Sequence, residues 1–167
     1  MSDHQPAWLE WVKGLPATQR AAAEWLRAEF GFLGVADPVD LIKSEVLEDL
    51  PQLARFVLLR SLWRGAIDAW SEPGSLDQLP AAQRLLAAGA DGEDLVRLVR
   101  AVAYETVFVT LDELDTGSDV NSTGVDVGWV VMESGEDGSP TGRTLAGLHE
   151  DLMTMDPSGR AGADLWQ

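Results

Sequence analysis

GEDLVRLVRAVAYETVFVTLDEL, residues 92–114, is the segment on which the fold turns. Its first half sets Glu93, Arg97, Arg100 and Tyr104 on one stripe, opposite Leu95, Leu98, Val99 and Val102. Past Tyr104 the pattern is apolar nearly all round, with Val107, Phe108, Val109 and Leu111. A helix that turns from amphipathic to apolar on every side is one that dives into a core. The β-branched run Thr106-Val107-Phe108-Val109-Thr110 has a strand as its alternative. The spacing of three and four is unbroken from Leu95 to Val109, and that favours helix.

Helical patterns extend outward on the N-terminal side. Residues 7–13 read as a short helix closed by Gly14, and a second runs from Pro16 or Thr18 to Phe30 with Trp25, Leu26 and Phe30 on its apolar side. Asp37-Pro38 opens a third, ending near Leu50, with Asp as cap and Pro in the first turn. Residues 52–70 read as one strong helix, because Phe56, Leu59, Trp63, Ile67 and Trp70 recur at three and four. Ser75-x-x-Gln78 has the form of a capping box for a helix over 76–88, and Asp91 caps the next.

On the C-terminal side, residues 116–128 are a Gly/Ser/Asn/Asp loop. Val127 to Glu133 reads as a short strand, Glu136 to Ser139 as a turn, and a partner strand would lie near Arg143 to Ala146. A last helix over 145–155 places Leu145, Leu148, Leu152 and Met155 on one face. The class is therefore mainly α: a helical bundle of six to seven helices with a small irregular C-terminal attachment containing a short strand or hairpin. Residues 1–167 read as one domain, with the bundle over 6–115, the acidic loop, strand and final helix over 117–156, and a tail over 157–167.

A length of 167 residues with 46% hydrophobic side chains can build a core without staples, and the lack of Cys removes disulfides, zinc fingers and thiol nucleophiles. The net charge of −16 argues against direct nucleic-acid binding, which Lys and Arg carry. The charge is uneven. Thirteen acids against two bases follow Arg100, and nine acids with no base lie between Glu105 and Asp137. Solubility explains such a surface, and so does a site that steers a basic protein. The N-terminal residues lack a basic leader pattern and no run is long enough to span a membrane, so cytoplasm is the expected compartment. Ten Arg against two Lys points to a bacterial chain.

Catalytic parts are few. His149 is the one histidine outside the N-terminal residues, and Glu105 or Asp156 is its expected partner. With Tyr104 and an anion-holding Arg143 it makes an enzyme the alternative reading; the edge of a core explains His149 equally. Asp112, Glu113, Asp115, Asp119, Asn121 and Asp126 offer oxygen ligands but miss the calcium-loop spacing, with Val130 where Glu belongs, so no metal and no cofactor is expected. Arg97 and Arg100 could share an anion across one helical turn, while Glu93 explains Arg97 as a surface pair. Trp63, Trp70 and Trp25 read as core. Trp8 and Trp11 either dock on the bundle or form a homodimer surface, and Trp166 implies a tail packed on something.

The functional expectation is a non-catalytic cytoplasmic binding protein, immunity-like or chaperone-like. It engages a basic protein through Asp112, Glu113, Asp115, Asp119, Asp126, Glu136 and Asp137. A structural, oligomerising protein is the remaining alternative.

Overall fold

The structure, a computed structural model, describes the backbone of residues 4–118 and 128–166, with side chains from Ala7 onward. Helices α1 (His4–Gly14), α2 (Ala17–Phe32), α3 (Val39–Glu48), α4 (Gln52–Leu62), α5 (Pro80–Ala87) and α6 (Gly92–Thr116) precede a hairpin of β1 (Met132–Ser134) and β2 (Pro140–Thr144). A one-turn α7 (Leu148–Asp151) follows. The class is the expected one, mainly α with a small two-stranded antiparallel attachment near the C-terminal end.

Local chemistry sets the ends of the long helix. Asp91 accepts hydrogen bonds from the Glu93 and Asp94 N–H groups at 2.7 and 3.3 Å, filling two of the orphan donors of α6. Gly117, at φ 72°, closes it in the left-handed conformation that glycine tolerates. Thr106 and Thr110 are helical, and their hydroxyls donate to the carbonyls of Val102 and Thr106 one turn back. The strand alternative for this run is thereby excluded.

Other boundaries differ from expectation. A helix from residue 76 would place Pro80 in its second turn, where the ring clashes with the carbonyl four residues earlier. Pro80 instead begins α5, and the Ser75 hydroxyl donates to the Trp70 carbonyl at 2.6 Å rather than capping a helix. The expected helix over 52–70 is α only to Leu62. It widens into a π turn over Trp63–Ile67, around Gly65, and tightens into a 3₁₀ turn over Asp68–Ser71. The register survives that change as far as Ile67, since Phe56, Leu59, Trp63 and Ile67 are buried, while Trp70, also expected in the core, is half-buried. The last helix starts late because Gly147 sits at φ 67°, outside helical geometry. Of the strand expected over 127–133, Met132 and Glu133 lie in β1, which pairs Met132 with Thr144 and Ser134 with Pro140 across a bulge.

The chain divides into two compact units: Met1–Arg55 with Met132–Thr144, and Phe56–Val131 with Leu145–Gln167. In the first, Trp8, Val12, Leu15, Ala23, Leu26, Phe30 and Ile42 are buried. The Arg20 guanidinium donates to the carbonyls of Val12, Lys13 and Leu15, closing the C-terminal end of α1. Trp25, expected in the core, is exposed, because the inward face of α2 is Ala23, Leu26 and Phe30. In the second unit α6 packs against the π turn, the 3₁₀ turn after it, α7 and a 3₁₀ turn at Ala163–Leu165. The Trp63 indole N–H donates to the Leu152 carbonyl, pinning the π turn to the segment after α7. Among the described residues no helix is long and apolar enough to cross a membrane.

Candidate functional site

The faces of α6 differ in part from those expected, with Glu93 exposed and Leu95 and Val99 half-buried as the pattern implied. Arg100 and Tyr104, read as an outer polar stripe, point inward, while Leu98 and Val102 point out. Burial of a guanidinium is tolerable only when its donors are paired. Arg100 meets that condition at its two terminal nitrogens, donating to Asp164 at 2.6 Å and Asp68 at 2.8 Å, while its buried Nε has no hydrogen-bond partner among the described residues. Burial pulls its pKa down, but the two carboxylates outweigh burial and leave it raised. Tyr104 lies beneath it, 5.8 Å from the Trp63 ring and edge-on to Trp166 at 6.1 Å. Burial, assisted by the Glu105 charge, raises its phenol.

These placements bear on the anion reading. Arg97 pairs with Asp94 at 2.7 Å rather than with Glu93. Arg97 and Arg100 do line one cleft of about 370 Å³, but Glu93 and Asp164 line it too. An incoming anion would meet two carboxylates beside the two guanidiniums, one of which is already doubly engaged.

His149, on α7, finds its partner in neither Glu105 nor Asp156. Its Nδ1 lies 2.7 Å from the Asp115 carboxylate, which also accepts the His149 backbone N–H at 3.2 Å. Its Nε2 lies 3.7 Å from Asp112, and the ring stands edge-on to Phe108 at 5.5 Å. The Asp115 hydrogen bond raises the imidazole pKa, with smaller help from Asp112 and Glu150 against desolvation. Asp156 serves elsewhere. Burial opposes its charge, but N–H groups of Gly162 and Ser158 and the Ser158 hydroxyl hold its pKa down, and it organises the turn before the last 3₁₀ segment.

Arg143 belongs to the other unit, where three carboxylates surround it: Glu45 at 2.7 Å, Glu133 at 3.4 Å and Asp49 at 3.6 Å. Buried Glu45 also accepts the Leu53 N–H at 2.8 Å, capping the first turn of α4. Arg143 thus ties the hairpin to α3 and the start of α4.

The expected acidic residues separate in the same way. Asp115 is engaged by His149. Asp112 and Glu113 are exposed at the end of α6, and Glu136 and Asp137 at the hairpin turn, where Ser139 donates its N–H and hydroxyl to Asp137. Those two donors lower the Asp137 pKa. Asp119 and Asp126, with Asn121, lie outside the described residues. Among the described residues no group of three or more His, Asp or Glu side chains is placed to hold a metal ion.

Trp8 is buried, with the Trp11 ring at 5.2 Å and the Arg27 guanidinium over it at 4.6 Å. Lys43 lies 6.0 Å from the Trp11 ring, so both indoles of α1 are used within their own unit.

The feature that patterning missed is the outer face of α6. Leu98, Val102 and Val109 are 60, 57 and 60% exposed, and Trp166 and Trp129 are 53 and 38% exposed. A cleft of about 610 Å³ runs along Leu98, Val102, Glu105, Thr106 and Val109 with Trp166 as one wall. A second, about 370 Å³, continues from Val109 and Thr110 to Glu113, Leu114 and Trp129. The Trp129 indole N–H donates to the Glu113 carbonyl at 3.0 Å, fixing that ring at the end of the helix. Val109 and Thr110 line both clefts, making one groove, and its charged lining residues are Glu105 and Glu113. The signal was present in the sequence, since Leu98, Val102 and Val109 recur at four and seven, but the presence of Arg100 assigned that stripe to the core. Comparison of the chain with protein-family models, curated proteins and solved structures finds no match.

Proposed function

We propose that the chain is a non-catalytic binding protein that engages a basic protein partner through its acidic C-terminal half, in the cytoplasm, in the manner of an immunity protein or a chaperone. The observation that carries this reading is the outer face of α6, where exposed apolar side chains are edged by Glu105 and Glu113 and, among the described residues, no Lys or Arg lines the groove. Exposed apolar area next to charge of one sign is the make-up of a recognition surface, with the apolar part supplying affinity and the charge supplying rate and selectivity. Two of the residues suggested for catalysis have structural partners, since Tyr104 is packed in the core and Arg143 is held by three carboxylates.

Affinity capture from a native lysate at about 50 mM and about 500 mM salt tests the electrostatic part. Basic proteins should be retained at low salt, released at high salt, and lost with the E105Q/E113Q/E136Q/D137N variant. Retention indifferent to both salt and neutralisation would remove the reading.

A further inference from the structure

We infer that the occupant of the α6 groove is a single amphipathic, basic helix of the partner, seated lengthwise on Leu98, Val102 and Val109 between Trp166 and Trp129. The inference rests on the proposed basic partner and specifies what part of that partner docks and where.

Shape comes first. The groove follows one straight helix from Leu98 to Glu113, a length of about 23 Å at the α-helical rise. About 15 residues of a partner helix cover that length, offering anchors at the usual three- and four-residue spacing. An edge-adding strand has nothing to pair with here, because the backbone donors and acceptors of α6 are spent inside the helix.

Charge then selects the helix. Glu105 lies between the two apolar stations Val102 and Val109, and Glu113 lies at the Trp129 end. The C-terminal end of α6 adds the negative pole of its dipole, with Asp112 exposed beside it. A partner helix needs Lys or Arg opposite its middle and at the end that overlies Glu113. An acidic helix would set like charges together at both places, and a second copy of this chain would bring Glu105 and Glu113 against themselves. Trp166 and Trp129 supply the aromatic walls that favour both apolar anchors and the aliphatic stems of Lys and Arg.

The test uses the full chain and two fluorescein-labelled synthetic peptides of about 16 residues. One has Leu at helical spacing flanked by Lys and Arg; the other has the same composition scrambled so that no apolar face forms. The amphipathic peptide should bind at least about tenfold more tightly than the scrambled one. The V102S/V109S variant, altered at exposed positions and checked for an unchanged urea midpoint, should lose that advantage. E105Q/E113Q should weaken binding of the amphipathic peptide and flatten its salt dependence.

Equal binding of the two peptides, untouched by V102S/V109S but abolished by salt, overturns the groove while leaving the acidic-surface reading standing. Tight binding of the amphipathic peptide that ignores salt and E105Q/E113Q overturns the basic partner and leaves an apolar groove. Failure of the amphipathic peptide to bind at low salt overturns the inference. So does a full chain that sediments as a dimer and becomes monomeric in V102S/V109S, since the occupant is then a second copy.

Discussion

Replacing Arg100 with Met keeps the aliphatic stem of the side chain and removes every donor. Two charge-assisted hydrogen bonds disappear, to Asp164 at 2.6 Å and Asp68 at 2.8 Å, from a residue only 9% exposed. Each such bond is worth about 1.5–3 kcal/mol when its partner is left behind. The lower part of that range applies, because Asp68 is a third exposed and Asp164 keeps Arg160 at 3.0 Å. The expected loss is about 2–4 kcal/mol, against about 0–0.5 kcal/mol for the corresponding change at Arg97, whose Asp94 pair is solvent-exposed. Urea unfolding followed by tryptophan fluorescence measures both, with the slopes compared to confirm that the transition is the same one. Triple replacement R100M/D68N/D164N should recover part of the loss, because no uncompensated charge remains. If R100M is no more harmful than R97M, Arg100 does not hold the second unit together and its inward placement on α6 is wrong.

The His149 pKa is raised, so its pairing stabilises the fold fully below the ordinary imidazole value and loses that contribution as pH rises through the folded value. The urea midpoint should therefore fall across that window in the native chain and fall less in D115N, with the imidazole titration followed by NMR. Gly117 combines φ 72° with a tight approach, since a Cβ at this position would stand 3.1 Å from the Trp129 carbonyl oxygen. G117A should accordingly cost about 1–3 kcal/mol in the same urea assay. Removing the buried Glu45 carboxylate in E45A uncaps α4 and leaves Arg143 with weaker partners, an expected loss of about 2–3 kcal/mol by thermal unfolding, with E45Q milder because it still accepts the Leu53 N–H.

The mainly α class was legible because its punctuation is chemical: Asp91 as cap and the Phe56-Leu59-Trp63-Ile67 register read the same way in sequence and structure. Misreadings arose where a nearby rule outranked the pattern. Pro80 overrode an apparent capping box, and Gly147 cut short the last helix. The candidate site was less legible, for a different reason. A charged residue on a helix is ordinarily placed outside, yet the acids that make burial of Arg100 tolerable, Asp68 and Asp164, lie 32 and 64 residues away. The same distance effect hid Asp115 as the partner of His149, 34 residues upstream. Helical periodicity reports neighbours within a turn or two; it carries nothing about who arrives from another part of the chain.

Each unit is assembled from two separated pieces of chain, and this has a consequence during synthesis. The hairpin residues 132–144 complete the first unit, while Leu152, Asp164, Leu165 and Trp166 complete the second around Trp63, Arg100 and Tyr104. A nascent chain emerging N-terminus first therefore carries Arg100 with Asp68 but without Asp164, and Trp63 without the Leu152 carbonyl, until residues 145–166 are made. A ribosome stalled after α6 would display two open units rather than a finished first half, so residues 132–166 act as the closing stitches of both.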